Sequence, residues 1–168
     1  SIRNLTMIDK QSHDETVHQG EELDYKKASL PIKDRVADLL SRMTVEEKVA
    51  QMLCIWGQKK KMLLDEEGKL STSNLQRNLK HGLGQIARLS DTNGGKGPRE
   101  MAELVNGLQK FFAEETRLGI PVIFHEECLH GLAARDATSY PQPIGLACTF
   151  NPALVEEIYS AIADDTRS

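Results

Sequence analysis

The chain has 168 residues, 39% of them apolar and 27% charged, with a formal net charge of −4. That balance fits one globular α/β-sized domain rather than a disordered or fibrous chain. No apolar run approaches the roughly 18 residues a membrane helix needs, and no basic block is dense enough to track phosphates, so neither a membrane nor a nucleic-acid partner is expected.

Residues 1–24 form a polar, weakly patterned N-terminal arm. His13 and His18 lie there without a partner cluster, and the opening residues do not read as a secretory leader. Helical punctuation begins at Ser29-Leu30-Pro31, since proline at the first helical position sacrifices no needed hydrogen bond. Val36, Leu39, Leu40 and Met43 then recur at helical spacing. Thr44-Val45-Glu46-Glu47 spells a capping box for a second helix, with Val49, Met52 and Leu53 as its apolar face. Lys59-Lys60-Lys61 reads as a solvated loop.

Leu53 to Trp56 is compatible with a short strand, and Met62 to Leu70 with a hairpin turning at Gly68. Ser73 is placed as the cap of a short helix that runs through Lys80. Gln85 to Leu89 reads as a strand, and a Gly-rich loop follows it. Pro98 opens a long helix carrying Met101, Leu104, Val105, Leu108, Phe111 and Phe112, closed by Leu118-Gly119. A strand at 121–125 follows at once, completing a βαβ unit and implying a parallel sheet. Asn151-Pro152 starts the last helix, with Leu154, Val155, Ile158 and Ile162 on its buried face. Two evident strands cannot close a parallel sheet, which needs cover on both faces. The pattern therefore reads as the opening portion of a larger α/β domain. Of the three cysteines, Cys54, Cys128 and Cys148, two sit in apolar runs and read as small buried thiols. Three are too few for a disulfide framework.

Chemistry concentrates in His125-Glu126-Glu127-Cys128-Leu129-His130-Gly131, just past an apolar strand, where α/β folds present their sites. The two histidines are one residue too far apart for a zincin motif, about 140° apart on a helix, so no metal centre is expected. Cys128 between two histidines admits a thiol hydrolase, on weak grounds, because such pairs usually meet from distant segments. Glu126 and Glu127 are neighbours on an extended segment and point to opposite faces. They therefore cannot form the paired carboxylates, about 5–5.5 Å apart, of a retaining glycosidase. One inward carboxylate does suit sugar hydroxyls. Ser90-Asp91, at the end of the earlier strand, is a further candidate.

MTVEEKVAQM (Met43–Met52), RLGIPVIFHEECLHG (Arg117–Gly131) and ATSYPQPIGLACTFNPALVEEI (Ala137–Ile158) resemble the N-terminal part of glycoside hydrolase family 3. The resemblance runs from about Tyr25 to Ser168 and leaves residues 1–24 uncovered. It implies that residues 25–168 are the N-terminal portion of a (β/α)8 TIM-like barrel, incomplete in this chain. It also implies an exo-acting, retaining β-glucosidase or β-xylosidase without a cofactor, acting on an oligosaccharide or aryl glycoside. In such an enzyme the nucleophile and acid/base lie outside these residues, so no catalytic residue is expected in this chain. Glu127 falls where the family places an acidic group on the outer hydroxyls of the terminal sugar. His130 matches the family's His-Gly pair and Tyr140 a loop near the sugar; with Asp91 these are the substrate-binding candidates. The remainder of the same polypeptide, or another copy, would complete the barrel. The resemblance also points to the periplasm or the extracellular space. The competing reading is a non-catalytic α/β module that binds a sugar or a partner and self-assembles.

Overall fold

The computed structural model describes residues 24–167; the N-terminal arm with His13 and His18 lies outside the described residues. The chain divides into two compact units, residues 1–42 and 43–168. In the first, a 3-10 turn at Asp24–Lys26 precedes helix α1, Ile32–Arg42. Pro31 sits one residue before the helix, and its carbonyl accepts from the Asp34 and Arg35 amides. Asp38 ties the unit together: it accepts from the Tyr25 amide (3.1 Å) and from Arg42 Nε (2.9 Å). No residue of α1 is buried.

The second unit holds helix α2 (Val45–Gln51), strand β1 (Cys54–Ile55), helix α3 (Lys59–Leu63) and helix α4 (Thr72–Leu79). Strand β2 (Gln85–Ala87), helix α5 (Pro98–Lys110), strand β3 (Ile123–His125) and helices α6 (Pro143–Ala147) and α7 (Pro152–Arg167) follow. The three strands form one parallel sheet in the order β1-β2-β3. Ile55 pairs with Ile86, and Ile86 with Phe124, so one row of apolar side chains crosses the sheet. The described residues thus hold three parallel strands rather than the two evident from sequence. β1 is only two residues long, too short for alternation to show. Gly84, just before β2, lets the end of α2 come close: a Cβ there would stand 2.1 Å from the Gln51 carbonyl oxygen.

Helix α5 supplies most of the cover. Leu104, Leu108, Phe111 and Phe112 are buried against Ile86, Leu89 and Val122. Each fully buried side chain of this size contributes about 1.5–3 kcal/mol. The helix changes to one π turn at Phe111–Glu115, and Gly119 at φ 60 turns the chain into β3. The polypeptide between β1 and β2 departs from expectation. Gly68 does turn the chain (φ 80), and Leu64 and Leu70 form an antiparallel bridge, but Met62 and Leu63 are helical, so no hairpin forms. Helix α4 is capped by Ser71, whose hydroxyl accepts from the Asn74 amide (3.3 Å), two residues before the expected Ser73.

The capping box of α2 is present: Thr44 Oγ1 accepts from the Glu47 amide (3.3 Å), and Glu47 Oε2 from the Thr44 amide (2.9 Å). Its apolar face differs from expectation, because Val49, Met52 and Leu53 are exposed while Glu47 and Ala50 are buried. Glu47 is tolerated inside because Arg117, before β3, donates to both its oxygens (2.8 and 2.5 Å). Burial pushes the Glu47 carboxyl up, but the Arg117 hydrogen bonds, the Thr44 amide and the Arg117 charge outweigh it and hold the group below the usual Glu value. The cysteines are free, and Cys54 and Cys148 are exposed rather than buried. Of the expected buried face of α7, only Ile162 is buried.

Candidate functional site

The carboxyl ends of the three strands carry two adjoining polar clusters. The first is built on β1 and β2. Lys59, read from sequence as part of a solvated loop, is 5% exposed. Its ammonium donates to the carbonyls of Ala87 (2.9 Å) and Arg88 (2.5 Å) and to Asp91 Oδ1 (2.5 Å). Those three acceptors match the three donors of an ammonium, which is how a buried cation avoids its desolvation penalty. Lys60 and Lys61 are exposed, as expected, but in helix α3 rather than in a loop. Past β2 the chain turns sharply at Arg88 (φ 50, ψ 54) into a 3-10 turn, Leu89–Asp91. Arg88 Nε lies 3.3 Å from Asp91 Oδ2, and its guanidinium sits 5.8 Å over the Trp56 ring.

The second cluster is built on β3. The Arg88 amide donates to the His125 carbonyl (2.8 Å), which extends the ladder one step beyond the strands. Glu126 then reaches across to β2. Its Oε1 accepts from the Ser90 amide (2.9 Å), and its Oε2 lies 2.7 Å from the Ser90 hydroxyl. That buried hydroxyl is also 2.9 Å from the Ala133 carbonyl, so two acceptors compete for one proton. A cavity of about 410 Å³ opens beside the pair, lined by Ser90, Glu126, Met101, Leu132, Arg135 and Asp165.

Glu127 points elsewhere, as alternation requires. Its Oε1 accepts from the Leu129 amide (2.7 Å), and its carbonyl accepts from the Ala133 amide (2.9 Å). His130 and Tyr140 are brought together through the backbone, Tyr140 N–H donating to the His130 carbonyl (2.7 Å). Gly131 makes this closure possible at φ 109: a Cβ there would lie 2.2 Å from the Thr138 carbonyl oxygen. Tyr159 of α7 braces the loop by donating its hydroxyl proton to the Leu129 carbonyl (2.9 Å). The Cys128 sulfur lies 3.6 Å from Thr166 Oγ1.

Of the four candidates from sequence, Glu127, His130 and Tyr140 share one loop, and Asp91 belongs to the neighbouring cluster. The two are joined through the Ser90–Glu126 contact between adjacent strand ends. Sequence reasoning missed Lys59, Arg88 and Trp56. Trp56, the chain's single tryptophan, immediately after a strand, was the available signal.

A parallel sheet with covering helices and a polar crevice at its carboxyl ends defines an α/β protein of the barrel-building type. The description "Glycosyl hydrolase family 3 N terminal domain" matches residues 44–168, and the chain belongs to that family. A Formosa agariphila protein carrying a β-xylosidase designation is 37% identical over 148 residues, 86% of this chain and 19% of its own length. Beta-glucosidase C of Emericella nidulans is 33% identical over 141 residues, 79% of this chain and 22% of its own length. A solved β-glucosidase structure from Erythrobacter marinus matches with a TM-score of 0.64 and 30% identity, over 84% of this chain and 18% of that one. The chain thus spans about a fifth of the length of these relatives. Its fold is the N-terminal portion of the family's TIM-like barrel, as the sequence motifs implied.

Proposed function

We propose that this chain is part of an exo-acting, retaining β-glycosidase that releases terminal β-linked glucose or xylose. Residues 25–168 would form the N-terminal part of its barrel domain, with residues 1–24 as an arm. The observation that carries the reading is the Glu127 loop at the carboxyl end of a parallel strand in a family 3 chain. Glu127 is partly exposed, and one backbone amide occupies a single oxygen, so acceptor capacity remains for sugar hydroxyls. His130 and Tyr140 belong to the same loop, joined through the Tyr140 amide and the His130 carbonyl, and Asp91 lies in the neighbouring cluster; all three are proposed to contact the sugar.

Hydrolysis of the glycosidic bond calls for a nucleophile and an acid/base, and Glu126 is committed to Ser90. Both catalytic carboxyls are assigned to the rest of the polypeptide, which also completes the barrel. Glu127 has one methylene more than Asp, and crowding of a glucose hydroxymethyl favours xylose. The test is hydrolysis of 4-nitrophenyl β-glucoside and β-xyloside by the full-length polypeptide, with the first-formed sugar anomer followed by NMR. Release of the β-anomer, faster from the xyloside, is the expected result. Release of the α-anomer would refute the retaining mechanism, and no hydrolysis of either compound would refute the reaction itself.

A further inference from the structure

We propose that Ser90 and Glu126 are positioning residues for Glu127: they clamp both ends of loop 126–133 to the neighbouring strand and so set where the sugar-binding carboxylate stands. The proposal rests on the exo-glycosidase reading above. It gives Glu126, the other carboxylate of the pair, a role that does not touch substrate.

Ser90 is 2% exposed, and all its polar groups are engaged. Its carbonyl accepts from the Lys96 amide (3.1 Å), which holds the residue to the turn that follows it. Its amide and its hydroxyl both meet Glu126, at 2.9 and 2.7 Å, where the chain leaves β3. The same hydroxyl lies 2.9 Å from the Ala133 carbonyl, at the far end of the loop. The Ala133 amide then donates to the Glu127 carbonyl (2.9 Å) and closes a ring of contacts around Glu127. One buried side chain therefore touches both ends of the loop that carries Glu127 and His130.

The sheet gives the clamp a fixed anchor. Ala87 of β2 stands opposite His125 of β3, so Ser90 and Glu126 leave adjacent strands in a set register. Ser90 presents an amide and a hydroxyl side by side, and the two oxygens of one carboxyl group meet both. Two contacts fix the orientation of Glu126 where one would leave it free to turn. The Leu129 amide on Glu127 Oε1 (2.7 Å) then ties the sugar-binding carboxylate to the same loop. Such prior ordering matters because a group held in place before the sugar arrives loses little freedom on binding. Displacement of a substrate-holding group by about 1 Å can cost about 100-fold in rate.

The test is kcat/KM of the full-length polypeptide on 4-nitrophenyl β-xyloside and β-glucoside, with each variant checked for native circular dichroism. Ser90→Ala and Glu126→Ala are each expected to lower it about 10- to 100-fold. Glu126→Gln should recover most of that loss. Its side-chain oxygen accepts from the Ser90 amide and its nitrogen donates to the Ser90 hydroxyl, which keeps its one proton for Ala133. In a Glu127→Gln background, Glu126→Ala should cost less than about three-fold more, because a residue that acts through Glu127 then has nothing to position. Wild-type activity in both alanine variants, or a full further loss in the Glu127→Gln background, would overturn the proposal. So would a Glu126→Gln as impaired as Glu126→Ala, which would mean that the charge itself meets the substrate. Hydrogen–deuterium exchange of the same polypeptide reads the clamp without activity. In Ser90→Ala the Leu129 and Ala133 amides should exchange faster while those of α5 stay protected. Unchanged exchange in the loop would overturn the proposal, and so would faster exchange in α5 as well, which would make Ser90 a residue of general stability. A wild type inert on both glycosides would refute the glycosidase reading instead, with exchange still deciding whether Ser90 holds the loop.

Discussion

Gly131→Ala tests how the candidate site is held in shape. The substitution adds one methyl at φ 109, a backbone conformation that an L side chain enters at a cost of about 1–3 kcal/mol. The new Cβ would stand 2.2 Å from the Thr138 carbonyl oxygen and 3.2 Å from Ser139 Cα, so main chain rather than a flexible side chain must move. Overpacking of this kind costs about a further 1–3 kcal/mol. The sum is about 2–6 kcal/mol, which lowers the thermal midpoint by at least roughly 4–8 °C in a chain of this size. Movement of Thr138 also strains the Tyr140–His130 backbone bond, so the sugar binding proposed for the Glu127 loop should weaken along with stability. Gly94→Ala is the control, because Gly94 has a comparable φ of 86 but nothing within 4 Å of its added Cβ. Thermal unfolding followed by circular dichroism reads both variants. A Gly131→Ala midpoint no lower than that of Gly94→Ala would refute the close-approach argument.

Lys59→Met removes a buried ammonium and leaves two carbonyls and Asp91 without their donor; with Asp91 partly exposed, a loss of about 2–4 kcal/mol is expected in chemical denaturation. Wild-type stability there would mean the ammonium is not buried as described. Arg117→Met strands the buried Glu47 carboxylate and should cost about 2–4 kcal/mol at neutral pH, discounted because Arg117 is half exposed. The same pair sets an acid limit. Glu47 titrates below its unfolded value, so its contribution is complete above about pH 4.5 and is lost as pH falls through the folded value. Denaturation from about pH 5 to pH 3 should show that loss, and Glu47→Gln should flatten it; an equally steep acid limb in the variant would contradict the assignment. Thr44→Ala removes the α2 cap and should cost about 1 kcal/mol, with no change in the denaturant slope.

What the sequence made legible was local. The Thr44–Glu47 box, the long helix from Pro98, the Gly119 turn and the strand before His125 each depend on residues a few positions apart. The His125–Gly131 cluster was legible for the same reason: a strand ending in charged groups is a short-range pattern. What stayed hidden depends on distant partners. Glu47 is buried because of Arg117, 70 positions away. Lys59 is buried because Ala87, Arg88 and Asp91 offer it acceptors from about 30 positions away. A run of three lysines carries no trace of which one turns inward. β1 was indistinct because two residues cannot display a period, and its place in the sheet comes from the pairing with β2. Met62 and Leu63 went to a helix rather than a hairpin because α3 lets Leu63 and Leu64 into the core beside α4.

The most direct test of the account is kcat/KM of the full-length polypeptide on 4-nitrophenyl β-xyloside and β-glucoside, wild type against Glu127→Gln. The account expects hydrolysis by the wild type and a loss of roughly 10- to 100-fold in the variant, the worth of a hydrogen bond to a charged acceptor. A wild type inert on both substrates, or a variant equal to it, would contradict the account.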